Sequence, residues 1–140
     1  MEELKEISKM LLAAAKVYEK TFPPEYYDEM RRLTGFRKDP KNPHHKPFIF
    51  SIYTIKYAYG RFNLKELIRV LQEKNPYLAG LNIRNYKHFQ FFSEADTERL
   101  IGFLQDMIRV MKSCKKWYQF ENKYSKMYNL AFPDDLFDPQ

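Results

Sequence analysis

The sequence predicts a mainly α-helical fold, a compact bundle of five or six helices, and three observations support this class. Apolar residues recur at helical spacing in several segments, as in the stripe formed by Leu100, Leu104, Met107, Ile108 and Met111. Typical helix starts and stops separate these segments. Aromatic residues make up 17% of the chain, and each buried ring removes a large apolar area from water. A length of 140 residues predicts one domain.

In the first half of the chain, residues 2–20 are predicted to form a helix because apolar side chains recur there at helical spacing. A second helix is predicted to begin at Pro24, which suits a first turn, and to end at Gly35, a typical left-handed stop. Residues 36–47 contain three prolines and are predicted to form a loop. Residues 48–60 favour a helix that ends at their glycine. Their β-branched and aromatic content leaves a small two-stranded element as the alternative.

In the second half, Asn63 is predicted to cap a helix that Pro76 closes. Ser93 and Asp96 resemble a capping box at the start of a further helix, which carries the apolar stripe described above. A last helix is predicted to contain Trp117 on its buried face. The final residues combine prolines and acids and are predicted to be irregular.

The net charge of the chain is +6, and its distribution is uneven. Three aspartates lie in the last eight residues, and the preceding part carries 24 basic and 15 acidic side chains. Two segments are especially basic, residues 31–56 and residues 109–126. If they converge on one face, they favour a polyanionic partner, either nucleic acid or an acidic protein surface.

The compartment is expected to be reducing, because Cys114 is the only cysteine and no internal disulfide can form. The first residues are charged and lack the pattern of a signal peptide. No apolar run approaches the roughly 20 residues that span a bilayer. These features predict a cytoplasmic protein without a membrane partner.

No catalytic or metal-binding constellation is recognisable in the sequence. His44 and His45 are adjacent, so they point in different directions, and an exposed basic loop is the better interpretation. Cys114 precedes two lysines, yet a nucleophilic cysteine also needs a placed base. The four glycines are isolated, so no phosphate-binding loop is present. We therefore expect no enzymatic activity, no metal site and no cofactor.

The stretch RNYKHFQFF, residues 84–92, does not follow a helical pattern. As an extended segment it would turn Phe89 and Phe91 inward, and Arg84, His88 and Gln90 would form a polar row on the other side. This row has two interpretations. It contacts a partner, or it bonds to helix ends and fixes the segment, because buried backbone groups need partners.

Three phrases give the chain a resemblance to a known family. They are FPPEYYDEMRRLTG (22–35), KHFQFFSEAD (87–96) and MIRVMKSCKKWYQF (107–120), and LQEKNP (71–76) fits as well. Together they resemble the phage domain family named after its "P-sixty-three carboxy-terminal" founder. The second histidine of the family's central phrase is Phe89 here, which puts any chemistry of adjacent histidines in doubt.

The resemblance implies a phage or prophage setting and a regulatory, antirepressor-like or defence-inhibiting role without known catalysis. It divides the chain into an N-terminal helix (1–21), the phage antirepressor-associated domain (22–128) and an acidic tail (129–140).

The first functional hypothesis is therefore a module that binds a regulatory or defence protein of the host or the phage, in the bacterial cytoplasm. The alternative is direct DNA or RNA binding by a basic, aromatic surface. Homodimerisation is a further expectation, because so many rings can leave an apolar patch uncovered. The candidate contact residues are Arg31, Arg32, Arg84, Lys87, His88 and Gln90.

Overall fold

A computed structural model describes residues 2–78, 84 and 86–130 and contains six α-helices there. They are α1 (Glu2–Met10), α2 (Pro24–Thr34), α3 (Phe48–Tyr57), α4 (Leu67–Lys74), α5 (Glu94–Lys112) and α6 (Trp117–Met127). Two short 3-10 helices, Tyr59–Phe62 and His88–Phe91, join them. Within this described part there is no β-strand, only isolated bridges. The predicted mainly α class with five or six helices is confirmed.

The chain forms two compact units. Unit 1 comprises Met1–Thr21 and Leu64–Ile101, and unit 2 comprises Phe22–Asn63 and Gly102–Gln140. Helix α5 gives its first eight residues to unit 1 and the rest to unit 2. The predicted division at residues 21 and 128 stays a prediction, and residues 131–140 of the predicted tail lie outside the described residues. None of the described helices has the length and hydrophobicity needed to cross a membrane.

The core of unit 1 is built from α1, α4, the first part of α5 and the 3-10 helix His88–Phe91. Its fully buried side chains include Ile7, Leu67, Leu71, Phe92 and Leu100. The predicted length of α1 was wrong, because the helix ends at Met10 and does not continue to residue 20. Leu12 and Lys16 donate their backbone N–H groups to the carbonyls of Phe91 and Gln90, each at 2.7 Å. This pairing replaces the helical hydrogen bonds and outweighs the local helix propensity.

The core of unit 2 is a cluster of rings around Trp117. The Trp117 ring lies 4.3 Å from that of Tyr53 and 4.7 Å from that of Phe120, between ring centroids. Tyr124 stacks on Phe120 at 5.0 Å and extends the cluster along α6. The buried position predicted for Trp117 on the last helix is confirmed, and Phe120 and Tyr124 are buried with it, whereas Met127, the last residue of the helix, is exposed.

A partly buried cation, Arg61, lies beside this ring cluster. Its guanidinium carbon lies 3.6 Å from the ring centroid of Tyr128 and 4.5 Å from that of Phe103. The guanidinium donates to the Asp106 carboxylate at 3.1 Å and to the Tyr124 hydroxyl at 3.2 Å. A charge taken out of water is costly unless it is paired, so this ion pair is what allows an arginine at this position.

The predicted helix limits were correct where local signals were strong. Helix α2 begins at Pro24, and Gly35 follows it with a φ of 84°. Residues 36–47 form an irregular loop, and residues 48–57 are helical, so the two-stranded alternative for this segment was wrong. The predicted end of this helix at Gly60 was also wrong, because the α-helix ends at Tyr57 and Gly60 lies within the 3-10 helix that follows.

The cap predicted at Asn63 was also wrong. Asn63 has a φ of 57° and ends the preceding 3-10 helix by donating its N–H to the carbonyl of Gly60. Helix α4 starts later, at Leu67. Asparagine is favoured both as a helix N-cap and in the left-handed conformation, and here the second preference decides.

The two glycines Gly35 and Gly102 provide a matched test of backbone conformation. A Cβ atom added at either position meets no atom within 4 Å, but only Gly35 has a positive φ. Gly35→Ala should lower the free energy of unfolding by about 1–2 kcal/mol, because a left-handed alanine is strained. Gly102→Ala should raise it by about 0.5–1 kcal/mol, because Gly102 lies inside α5. Urea unfolding measures both values, and a shift of the same sign in the two variants would contradict this account.

Candidate functional site

The segment that the sequence singled out contains a 3-10 helix, His88–Phe91, and is not an extended strand. Its backbone closes on itself, because Gln90 and Phe92 donate N–H groups to the carbonyls of Lys87 and Phe89. Phe89 and Phe91 are buried as predicted. Gln90 is buried with them, so the predicted separation into an apolar row and a polar row was wrong. A turn of three residues does not keep the alternation of a strand.

The Gln90 side chain bonds to two separate parts of unit 1. Its Oε1 accepts the N–H of Lys87 at 2.7 Å, and its Nε2 donates to the carbonyl of Lys16 at 2.9 Å. Lys16 in turn donates its own N–H to the carbonyl of Gln90. We call residues 10–16 the N-terminal strap. Gln90 thus fixes the strap against the 3-10 helix, which corresponds to the second interpretation of this segment.

Ser93 completes the segment as the cap of α5. The Ser93 hydroxyl donates to the Asp96 carboxylate at 2.9 Å, and its Oγ lies 3.3 Å from the Asp96 N–H. The backbone N–H of Ser93 donates to Met10 of the strap. The capping role predicted for Ser93 is confirmed, but the capping box is not complete, because the Ser93 N–H bonds to the Met10 carbonyl and the Asp96 carboxylate accepts the Ser93 hydroxyl instead.

Asn75, at the end of α4, organises the residues before the 3-10 helix. Its side chain is buried, and Nδ2 donates to the carbonyl of Tyr86 at 2.7 Å. The same nitrogen lies 3.3 Å from Nδ1 of His88. The Asn75 carbonyl accepts a hydrogen bond from Nε of Arg84 at 2.8 Å. The phrase LQEKNP therefore places one asparagine where its side-chain amide contacts Tyr86 and His88 and its backbone carbonyl binds Arg84, a role that sequence reasoning missed.

His88 is a neutral acceptor in this arrangement. Burial, and then the positive charge of Arg84, lower the pKa of His88 from 6.5 to about 4. Because Nδ2 of Asn75 is a donor, we assign Nδ1 of His88 as the acceptor and place the ring proton on Nε2.

A group of exposed and half-buried side chains lies around Asn75 and His88. We call Tyr77, Leu78, Arg84 and Tyr86 the aromatic surface of unit 1. The guanidinium carbon of Arg84 lies 3.7 Å from the ring centroid of Tyr77, and the ring of Tyr86 packs edge-on against Phe91. Tyr77, Leu78 and Tyr86 each keep more than 40% of their surface exposed. Lys87 is exposed beside them.

Arg31 and Arg32 belong to unit 2 and bond to its own backbone. The Arg31 guanidinium donates to the carbonyl of His45 at 3.0 Å, and only 10% of its side chain is exposed. Arg32 donates to the carbonyls of Met111 and Cys114 at 2.7 and 2.9 Å. These carbonyls lie at and just after the C-terminal end of α5, where the helix dipole favours a cation.

The six candidate residues are therefore distributed over both units. Around Asn75 the structure gathers Arg84 and His88, with Lys87 and Gln90 on the following turn. Arg31 and Arg32 support the end of α5 and the 36–47 loop instead.

The described residues contain no group of three or more His, Cys, Asp or Glu side chains that could hold a metal ion. His44 and His45 are exposed on the 36–47 loop, as predicted. Cys114 is buried near the end of α5 as a free thiol.

A comparison with protein families found a match over residues 7–100 to the P-sixty-three-C domain, the family that the three sequence phrases resemble. The matched range covers about two thirds of the chain, including the strap from Met10, Asn75 and the whole central segment. Comparisons with curated proteins and with solved structures found no match.

The lowered pKa of His88 predicts a pH-dependent stability. In the unfolded chain His88 binds a proton below about pH 6.5, whereas in the folded protein His88 stays neutral down to about pH 4. The contribution of neutral His88 to the free energy of unfolding is therefore fully present above pH 6.5. It should decline by about 2–3 kcal/mol as the pH falls to 4. His88→Gln keeps an acceptor for Asn75 but cannot titrate, so its decline should be smaller by this amount. Urea unfolding between pH 4 and 7 compares the two proteins, and parallel curves would refute the assignment.

Gln90→Ala should loosen the N-terminal strap. The substitution removes two hydrogen bonds inside unit 1, and we expect a loss of about 1–3 kcal/mol of stability. Deuterium exchange at the amides of Leu12 and Lys16 should accelerate. Lys87→Ala is the control. It should leave exchange unchanged, because Lys87 bonds to Gln90 through its backbone N–H, which the substitution keeps. Equal exchange in Gln90→Ala and the parent protein would show that the amide does not hold the strap.

Proposed function

The chain belongs to the P-sixty-three-C domain family, and from this membership and the aromatic surface of unit 1 we propose that it is a phage or prophage regulatory module that binds a protein. The partner is a regulatory or defence protein of the phage or of its bacterial host, and the module acts in the host cytoplasm. The proposed role is antirepressor-like or inhibitory, and it requires neither a cofactor nor a chemical reaction.

The observation that carries this proposal is the group of exposed rings around a fixed arginine. Tyrosine and arginine are enriched at the energetic centres of protein interfaces. Arg84 is held by the Asn75 carbonyl and by the face of Tyr77, and Tyr86 is held by Phe91. Side chains that are ordered before binding lose less conformational entropy when a partner arrives.

The charge of unit 1 is compatible with a protein partner. Its residues include ten Lys or Arg and nine Asp or Glu, so the unit is close to neutral. Long-range attraction to a polyanion is therefore weak on this unit. Recognition through ring burial and a few directed hydrogen bonds fits such a surface better.

The proposal gives His88 a structural role. Its Nδ1 accepts from Asn75, which fixes the ring orientation behind Arg84 and Tyr86. A neutral imidazole at this position also avoids a second positive charge next to Arg84.

The test is quantitative capture of a partner from phage-infected host cells, followed by affinity measurement with the purified partner. The double variant Tyr77→Ala/Tyr86→Ala should weaken binding at least about tenfold, because it removes two exposed rings. Its helical circular dichroism should stay unchanged, since neither residue belongs to the buried core and neither lies in a helix.

The matched control is Phe36→Ala/Phe48→Ala, which removes two exposed rings of unit 2. This control should bind like the parent protein. Equal affinity of the Tyr77→Ala/Tyr86→Ala variant and the parent would refute the surface assignment. Failure to recover any protein from several infected hosts would refute the protein-binding function.

A further inference from the structure

The positive charge of the chain is concentrated in unit 2. Residues 22–63 and 102–130 carry 14 Lys or Arg and six Asp or Glu, whereas unit 1 is nearly balanced. The two basic segments found in the sequence, 31–56 and 109–126, both belong to this unit. The fold thus brings these two basic segments, which are far apart in the sequence, into the same unit.

The carboxylates in this part of unit 2 already have partners within the unit. Each accepts a hydrogen bond or forms an ion pair: Glu25 with Lys112, Asp28 with Lys38, Glu29 with Arg32, Asp39 with the N–H of Lys41, Asp106 with Arg61, and Glu121 with the hydroxyl of Tyr57. Four of these acids are paired with a Lys or Arg, whereas Asp39 and Glu121 bond to neutral donors and keep their negative charge. Residues 22–63 and 102–130 therefore have a net charge of +8.

Several of those lysines lie on or beside the outer side of α6. The helix buries Trp117, Phe120 and Tyr124, which follow one helical stripe. Its exposed residues include Tyr118, Lys123 and Lys126, and Lys115 and Lys116 precede its first turn. We call Lys115, Lys116, Tyr118, Lys123 and Lys126 the α6 basic face.

The position of Lys123 connects the helix to the preceding turn. Its Nζ donates to the Oγ of Ser113 at 2.9 Å, so the ammonium group lies near the turn that carries Lys115 and Lys116. Among the described residues, Lys115, Lys116 and Lys126 form no ion pair with a carboxylate. From Lys116 to Lys126 the helix rises by about 15 Å, which is enough to contact several phosphates of one strand.

We propose that the α6 basic face binds single-stranded nucleic acid, with its lysines on successive phosphates and Tyr118 stacked on a base. Tyr118 is 63% exposed and lies one residue after Trp117, close to Lys116. An exposed ring among lysines fits an unpaired base, which offers a free aromatic face, better than it fits a duplex. Lysine is depleted at the centres of protein interfaces, so the composition of this face also favours a polyanion over a protein.

This inference is independent of the protein-binding proposal, because the two surfaces belong to different units and share no residue. The experiment is fluorescence polarisation of a labelled single-stranded oligonucleotide and of its duplex, with the full chain at several KCl concentrations. The single strand should bind more tightly than the duplex. Its affinity should fall with salt with a logarithmic slope of about −3, from about −0.7 for each of four phosphate contacts.

Charge variants separate a defined face from general electrostatic attraction. Lys115→Gln/Lys116→Gln/Lys123→Gln/Lys126→Gln should abolish most of the salt dependence and weaken binding at least about tenfold. The matched control, Lys5→Gln/Lys9→Gln/Lys65→Gln/Lys74→Gln, removes four exposed charges from unit 1 and should keep the slope. An equal loss in both variants, or no binding by the parent protein at low salt, would overturn the proposal.

Variants of Tyr118 test the stacking contact. Tyr118→Ala should weaken single-strand binding by about tenfold, whereas Tyr118→Phe keeps the ring and should bind like the parent protein. Duplex affinity should change little in either variant. If Tyr118→Ala binds the single strand unchanged, or if the duplex binds as tightly as the single strand, the single-strand assignment is overturned.

Discussion

The fixed point of unit 1 is the buried side-chain amide of Gln90. A buried amide needs a partner for both its donor and its acceptor, and here these partners come from Lys16 and Lys87, far apart in sequence. The same contact brings the strap next to Ser93, whose N–H is then taken by Met10 and whose hydroxyl is left for the α5 cap. The N-terminal strap, the 3-10 helix and the start of α5 therefore depend on one another.

A second amide extends this organisation to the surface. Asn75 holds the backbone of Tyr86 and the ring of His88, and its carbonyl holds Arg84. Arg84, His88 and Gln90, which the sequence suggested as a polar row, thus form hydrogen bonds within unit 1. Tyr77 and Tyr86 remain exposed beside the half-buried Arg84.

Local signals made much of the fold predictable. Pro24, Gly35 and Ser93 each determine the conformation of their own neighbours, so sequence reasoning found the limits of α2 and the start of α5. The length of α1 was not predictable in this way. Residues 11–16 have high helix propensity, but Leu12 and Lys16 donate their N–H groups to the distant carbonyls of Phe91 and Gln90 instead of forming helical hydrogen bonds.

The candidate site shows the same limit. The sequence identified the segment around His88. The structural role of Gln90 could not be predicted, because one of its two partners, Lys16, lies more than 70 residues away in the sequence. Arg32 was predicted as a contact residue, and this stays a prediction; its bonds to the carbonyls at the end of α5 are long-range contacts that the sequence does not show. The concentration of charge in unit 2 followed only from the way the fold groups the two basic runs.

Trp117 has a consequence for how the two units can be observed. It is the only tryptophan of the chain, and it lies in the ring cluster of unit 2 against Tyr53 and Phe120. Its fluorescence emission therefore reports the local environment of that cluster and is silent about the Gln90 region. Circular dichroism follows the helices of both units, so a difference between the two spectroscopic melting curves would reveal whether the units lose their structure in one step or in two.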